Sequence, residues 1–452
     1  MAIPSMTGLE TALRGLTAAQ AAIDTTGTNI ANANNASYSR QIVDLTESSS
    51  LSLPAFSNVT GQGVQLGTGV DVTTISRARD QFLDIQYRAQ NSNESGLSTS
   101  NGLLQQVQTA LAEPTSGGVT SQLNAFWQSW SALAAAPTSA AAKQSVVDSG
   151  ATMSNTFNAV ESQLQTLQGQ AASQYTTLIA ANGPVQQDAN QIASLNTQIS
   201  QAMGAGQTPN ALLDARDKAL DDLSQYGNVS VKDQGNGLLT VNFGGDTTTP
   251  LVNGNTANAV TSLALTPASG GTLGALQGLT SPTGQISGYL TTLNNFANTL
   301  ASTVNALHTT PPFFAVSTST TALGATATTL NVNPSLVSNP SSVQTTSTGN
   351  AGASDIAQAL AGLSNGAAQS SYSAFVSQVG SDVQSSSSTM TTAQTMLTAI
   401  SNQRQSVSGV SLDEEMTNLI SYQRAYQASA RMMTTIDSTL DTLINHTGTV
   451  GL

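Results

Sequence analysis

The sequence predicts a mainly α protein: a bundle of long helices with coiled-coil character and paired N- and C-terminal helices, carrying inserted small β-rich outer modules. Three observations lead there. Apolar residues recur at seven-residue spacing at both ends of the 452-residue chain and again in its middle. Two stretches between the periodic segments carry strand and turn chemistry instead. Only 8% of residues are charged and 4% aromatic, with Ala, Ser, Thr, Asn, Gln and Gly filling the rest. Small side chains bury little apolar area each, which suits thin layers better than a thick core.

In the first segment one row is Met6, Leu13, Gln20 and Gly27, and the other is Leu9, Leu16, Ile23 and Ile30. The first row decays, so this seam alone is compatible with an ordinary amphipathic helix. The stretch from Phe157 to Ala202 is stronger: Phe157, Leu164, Ala171, Leu178, Val185, Ile192 and Ile199 keep strict sevens. A straight helix of that length runs about 70 Å. Gly183-Pro184 lies inside it, so a kink or a break into two collinear helices is expected, because proline removes a hydrogen bond and crowds the preceding turn. A third periodic segment holds Ile286, Leu290, Leu293, Ala297, Leu300, Val304 and Leu307. A weaker fourth holds Val376, Val379, Val383, Met390, Leu397 and Ile400. The last helix opens on a Ser411-x-x-Glu414 capping box and repeats Leu412, Leu419, Tyr426, Met433 and Leu440.

Between the helices, Val229 to about Pro282 reads as β, with a Gly235-Asn-Gly turn, and Phe313–Ala353 as a polar, loop-rich stretch with a short strand at Leu330. Three units are therefore expected: 1–40 with 410–452 as a terminal helical unit; 41–228 with 284–312 and 354–409 as a helical rod-like body; and 229–283 with 313–353 as a β- and loop-rich outer module.

The formal net charge is −13, and between Ala89 and Gln403 the only basic residues are Lys143, Arg216, Lys218 and Lys232. Such a chain does not neutralise phosphates, which argues against a nucleic-acid partner or an anionic membrane surface. With no cysteine, disulfides, thiolate catalysis and Cys-based metal sites are ruled out. Met1-Ala-Ile-Pro-Ser lacks the basic head and apolar run of a secretory signal peptide, so any export is expected to proceed without a cleaved signal. No apolar run is long enough for membrane insertion.

Candidates for chemistry are few. His308 and His446 each end a predicted helix, where an imidazole meets the negative pole. Asp214-Ala-Arg-Asp217 reads as a solvated helix face with local ion pairs rather than a carboxylate dyad. The capping box accounts for Asp413, Glu414 and Glu415, and a hairpin turn for Asp233-Gln-Gly-Asn-Gly. The expectation is no enzyme, no cofactor and no metal.

Asn29-Ile-Ala-Asn-Ala-Asn-Asn-Ala-Ser-Tyr-Ser-Arg-Gln41 resembles the N-terminal motif of rod, hook and hook-associated proteins of the bacterial flagellum, with Asn35 and Ser37 where that motif has Thr and Gly. Four further blocks resemble the hook-associated protein 1 family in particular. They are Pro209-Asn-Ala-Leu-Leu-Asp-Ala-Arg-Asp217, Val304-Asn-Ala-Leu-His308 with Phe313-Phe, Asn331-Val-Asn-Pro with Asn339-Pro-Ser, and Ser408-Gly-Val-Ser-Leu-Asp-Glu-Glu415 with Tyr422-Gln-x-x-Tyr-Gln. Asn29, Asn32, Tyr38, Arg40, Asp214, Arg216, Asp217, Asn305 and His308 are the residues that carry this likeness.

The resemblance implies a structural subunit at the hook–filament junction, outside the cell and part of the flagellum, exported by the type III apparatus. It implies polymerisation through the terminal helices into a homo-oligomeric ring. The implied partners are hook protein, a second junction protein and an export chaperone at the C-terminal helix. The assembly seam is then expected at Leu9, Leu13, Leu16, Ile23, Ile30, Leu412, Leu419, Tyr426, Met433 and Leu440. The alternatives are another axial flagellar protein (hook, second junction protein or flagellin-like), or a secreted adhesin or hydrolase on helical stalks.

Overall fold

The computed structural model describes residues 3–53, 64–320, 326–350 and 352–446. Helix α1 (Ile3–Ala31) leads into a β-ribbon of β1 (Gln41–Glu47) and β4 (Val70–Arg77), with the short pair β2 (Leu51–Leu53) and β3 (Val64–Leu66) between them. Helices α2 (Gln81–Leu111), α3 (Val119–Ala135), α4 (Ala140–Leu178), α5 (Pro184–Gly204) and α6 (Asn210–Ser224) follow. Then comes an antiparallel sheet of β5 (Val229–Gly235), β6 (Leu238–Phe243), β7 (Val252–Asn253) and β8 (Thr256–Ala257). Next are α7 (Gly271–Thr280), α8 (Gln285–Leu307) and the hairpin β9 (Phe314–Thr320)–β10 (Thr326–Val332). The chain closes with α9 (Pro334–Ser338), α10 (Asp355–Ala361), α11 (Ala367–Ser408) and α12 (Leu412–Asp441). The mainly α character, the paired terminal helices and the small inserted sheets agree with the sequence.

Local chemistry sets the boundaries. Asp80 caps α2 by accepting from the Phe82 and Leu83 amides, and the Ser139 hydroxyl accepts from the Ala142 amide at the start of α4. The kink-or-break question at Gly183-Pro184 resolves as a break. α4 ends at Leu178, and Pro184 takes the first position of α5, where its missing N–H is not needed. Gly183 permits the turn, since a Cβ there would lie 2.5 Å from the Thr177 carbonyl oxygen.

The two helices on either side of that break feed different cores, so the unbroken heptad is not one seam. Phe157, Leu164 and Ala171 join the main core with Phe126 and Trp130 of α3, Phe296 and Leu300 of α8, and Tyr372 and Phe375 of α11. Val185 and Ile192 instead pack with Leu220 and Leu223 of α6 and with Val241 and Phe243 of β6. The seven-residue period marks one buried face on each helix, and the turn between them sends those faces to different partners.

Three expectations about the layout need correction. Residues 41–53 and 64–77, placed in the helical body, form the β1–β4 ribbon and the short β2–β3 pair, with Gln41 opposite Arg77. Residues 271–280, placed in the β module, are helix α7, whose Leu273 sits in one core and Leu276 and Leu279 in the other. The 313–353 stretch is only partly an outer surface: Phe313, Phe314, Leu330, Leu336 and Val343 are buried in the main core. The last correction has a physical cause: serine- and threonine-rich strands look like loops unless the aromatic residues at their ends are seen to meet a helix.

α2 and α11 run antiparallel, with the Gln90 side-chain amide donating to the Ala393 carbonyl at 2.9 Å and Arg404 reaching Asp84. One end of this pair is buried in the main core through Leu104, Val107, Phe375 and Val379. The other end meets the terminal helices.

Candidate functional site

α1 and α12 pair antiparallel along their length: Gly8 lies against Ile436, Gly15 against Ser429, and Asn29 against Glu415. The buried face of α1 is a row of small residues. Ala12, Ala19, Ala22 and Thr26 are buried, and a Cβ on Gly15 would come 3.0 Å from the Ser429 hydroxyl. Small side chains let the helix axes approach closely, and the opposite face answers with larger ones: Leu419, Tyr422, Tyr426, Met433, Ile436 and Leu440, all half-buried. In the whole of α12, Glu415 alone is fully buried.

The expected seam residues divide. Leu419, Tyr426, Met433 and Leu440 lie on the face of α12 that meets α1. Leu9, Leu16, Ile23 and Ile30 are each one position along from the small-residue row Gly8, Gly15, Ala22 and Asn29, and stay half-buried beside it. Leu13 and Leu412 are half exposed, as are Met416, Ile420 and Met432. The large apolar residues of α1 thus do not supply the fully buried row of that helix. The signal for the row that does was a run of small residues at alternating spacings of three and four.

The terminal pair joins the body through a built polar network. Asn29 accepts from the Tyr38 hydroxyl (2.7 Å) and the Gln41 amide (2.9 Å), and donates to the Gln41 carbonyl (2.9 Å) and to Glu415 (3.1 Å). One side chain thus ties together helix end, turn, strand and C-terminal helix. Asn32 donates to the Thr28 carbonyl and closes the last turn of α1. Burial, with Asp214 and Glu415 nearby, pushes the Tyr38 hydroxyl up to about 12, so it remains a donor. Arg40 Nε donates to Glu415 at 2.8 Å, and its Nη1 lies 3.1 Å from Glu414. Glu414 and Glu415 therefore do more than cap a helix, although the Ser411 hydroxyl does accept from the Glu414 amide.

Behind this lies an alternation of four arginines and four aspartates. Arg77 bridges Asp214 and Asp217, both at 2.8 Å, and Arg79 bridges Asp84 (2.7 Å) and Asp217 (3.0 Å). Arg88 reaches Asp221 (2.8 Å) and Asp217 (3.2 Å). Arg404 closes the set on Asp84 (2.8 Å) and Asp221 (2.6 Å), stacked over the Tyr87 ring at 4.6 Å. Ser39 of the N-terminal motif donates to Asp214 at 2.7 Å. The solvated-face reading of Asp214 and Asp217 is overturned: both carboxylates point inward to arginines on other elements. Burial alone would raise Asp217, but Arg79, Arg77 and Arg88 outweigh it and hold the carboxyl below its ordinary value. Arg216 serves a different purpose, donating to Asn196 Oδ1 (3.0 Å) and the Gly237 carbonyl (2.6 Å) to fasten α6 to α5 and the sheet.

Arg77, Arg79, Arg88, Asp84, Asp221 and Arg404 were missed in the sequence. The available signal was clustering: in a chain with only 12 basic residues, the arginines gather at 77–88 and the aspartates at 214–222.

Asn305 and His308 lie elsewhere, in the body. Asn305 pairs with both backbone groups of Phe314 at 2.8 and 2.9 Å. His308 is fully buried beside Trp130 and Phe313; Nδ1 donates to the Pro311 carbonyl (2.7 Å) and Nε2 accepts from the Gln344 amide (2.9 Å). Burial pushes its pKa down, so the expected charge–pole interaction is replaced by a neutral imidazole splicing two loops. The side chain of His446 lies outside the described residues. Among the described residues no group of three His, Asp or Glu is placed to hold a metal, and no helix is long and apolar enough to cross a membrane.

Residues 104–310 match the family model of the flagellar hook-associated protein FlgK helical domain, and residues 402–446 that of the flagellar basal body rod FlgEFG protein C-terminal region. Flagellar hook-associated protein 1 of Bacillus subtilis (strain 168) is 33% identical over 512 residues, aligning 98% of this chain with 99% of that protein. The Escherichia coli (strain K12) protein of the same name is 27% identical over 97% of this chain and 99% of its own. The solved flagellar hook junction protein FlgK from Burkholderia pseudomallei aligns with 52% of this chain and 47% of that one, at 27% identity and a TM-score of 0.45. With one relative matched end to end at a third identity, this chain belongs to the flagellar hook-associated protein 1 family.

Proposed function

We propose that the chain is a structural subunit of the hook–filament junction, polymerising through its paired terminal helices into a ring of copies between hook protein and a second junction protein. One observation carries the reading. The α1–α12 pair covers only one side of each helix and leaves Leu13, Leu412, Met416, Ile420 and Met432 half exposed. Leu412, Met416 and Ile420, spaced four residues apart, form one exposed apolar stripe on α12, and such a stripe marks an interaction surface. A chaperone covers α12 until assembly, and the role is structural rather than enzymatic.

Leu13→Lys tests this directly. The side chain is half exposed in the single chain, so its replacement shifts stability by less than about 0.5 kcal/mol. In an assembled interface the same ammonium is buried and unpaired, which blocks docking. The expected result is a soluble variant with an unchanged melting transition that is secreted but missing from isolated flagella, leaving cells without filaments. Normal incorporation would place this face toward water and remove α1 from the assembly surface.

A further inference from the structure

A groove of about 460 Å³ opens beside the joint, between the start of α2, the end of β4, α6 and the β5–β6 hairpin. Its floor is apolar, with Leu213, Leu220, Val231 and Leu239. Ile85 stands at its lip, and Phe82 lies one turn away on the same face of α2; each is 65% exposed. Four arginines and three aspartates line the groove, and Asp214 and Asp221 behind them pair with Arg77 and Arg88. Arg79 is likewise matched to carboxylates, whereas Arg216 is buried, bonded to an amide oxygen and a carbonyl, and its Nε has no hydrogen-bond partner. The groove therefore suits apolar side chains accompanied by one carboxylate.

The chain itself presents that combination. At the start of α12, Leu412 and Met416 are half exposed and flank Asp413. Asp413 is exposed, and its side chain makes no hydrogen bond or ion pair within the chain. This turn does not line the groove of its own chain.

We propose that the groove receives the Leu412–Met416 turn of a second copy, with Leu412 and Met416 against Ile85 and the apolar floor and Asp413 toward Arg216. Groove and turn are different patches of one chain, so the contact is head-to-tail and propagates around a ring. The inference rests on the assembly reading above and assigns the Leu412–Met416 part of the exposed α12 face to a lateral contact at the level of the joint.

The absence of cysteine makes the test clean. Ile85→Cys and Met416→Cys, both at exposed positions, are produced together in cells lacking the unsubstituted chain. Isolated flagella are then treated with a short bis-maleimide. Each chain holds one thiol, so every cross-link joins two copies. The expected result is a dimer severalfold more abundant in the mixture than with either variant alone, and a severalfold loss of it when Asp413→Lys is added to the Met416→Cys chain. Variants present in flagella but no better linked in the mixture would overturn the groove and leave the assembly reading standing. An unsubstituted chain that is itself absent from flagella would overturn that reading, and this contact with it.

Discussion

The body and the terminal pair are both helical, but they are built from opposite kinds of residue. The body closes on Phe126, Trp130, Phe157, Phe296, Phe313 and Tyr372, with few large apolar side chains left outside. The terminal pair meets through Gly8, Ala12, Gly15, Ala19 and Ala22 on α1, and leaves its leucines and methionines half uncovered. Apolar burial stabilises roughly in proportion to area, at about 25 cal/mol per Å². The body has thus used its apolar area within the chain, whereas the terminal pair holds part of its own back. That division suits a subunit that folds as one chain and completes its ends against neighbours.

The largest effect should come from the body. Phe157→Ala removes a fully buried ring that stacks on Phe296 at 5.7 Å between centroids, and should cost about 4 kcal/mol in chemical denaturation. A loss below about 1 kcal/mol would mean a core loose enough to collapse around the gap, and the contrast with the termini would fail.

The joint comes second. Arg404→Ala leaves Asp84 and Asp221 each short of one cationic partner, with a loss of about 3 kcal/mol expected for breaking a largely buried pair. Amide exchange should speed up in the second half of α11 while the main core keeps its protection. Uniform acceleration would show that joint and body unfold as one unit.

The smallest effect is a pH response that separates the joint from the sheet module. Asp217 is held below its ordinary value, so its contribution to stability is complete above the usual carboxylate range, near 4. It is lost only as pH falls through that lowered value. Asp188 of α5 behaves oppositely: burial and then Asp222 push it up to about 6, so its ionised form opposes folding. Between pH 7 and 5 the folded state takes up a proton that the unfolded chain does not, and stability rises slightly as pH falls. Melting followed over that range should show a small gain that disappears in Asp188→Asn. A loss of stability would point to a titrating joint instead.

Much of the helical layout was legible because helix periodicity is a local property: a row such as Phe157, Leu164 and Ala171 announces a buried face whatever covers it. The turn at Gly235-Asn-Gly was legible for the same reason, since Asn236 and its two glycines all take positive φ. What covers a face is not local. Phe157 and Val185 share one heptad phase and enter different cores, because the turn before Pro184 redirects the chain.

The sequence by itself determined a helical chain with periodic ends, no cysteine, a net charge of −13, and motif blocks that mark its family. Only the tertiary structure decided which row of α1 meets α12, because close approach of two helices favours the smallest side chains rather than the most apolar. It alone paired Arg77 with Asp214 across 137 positions, and Asn29 with Glu415 across 386. An ion pair or a single hydrogen bond between distant residues has no period and no neighbouring cue. It exists only once the elements carrying both partners have packed.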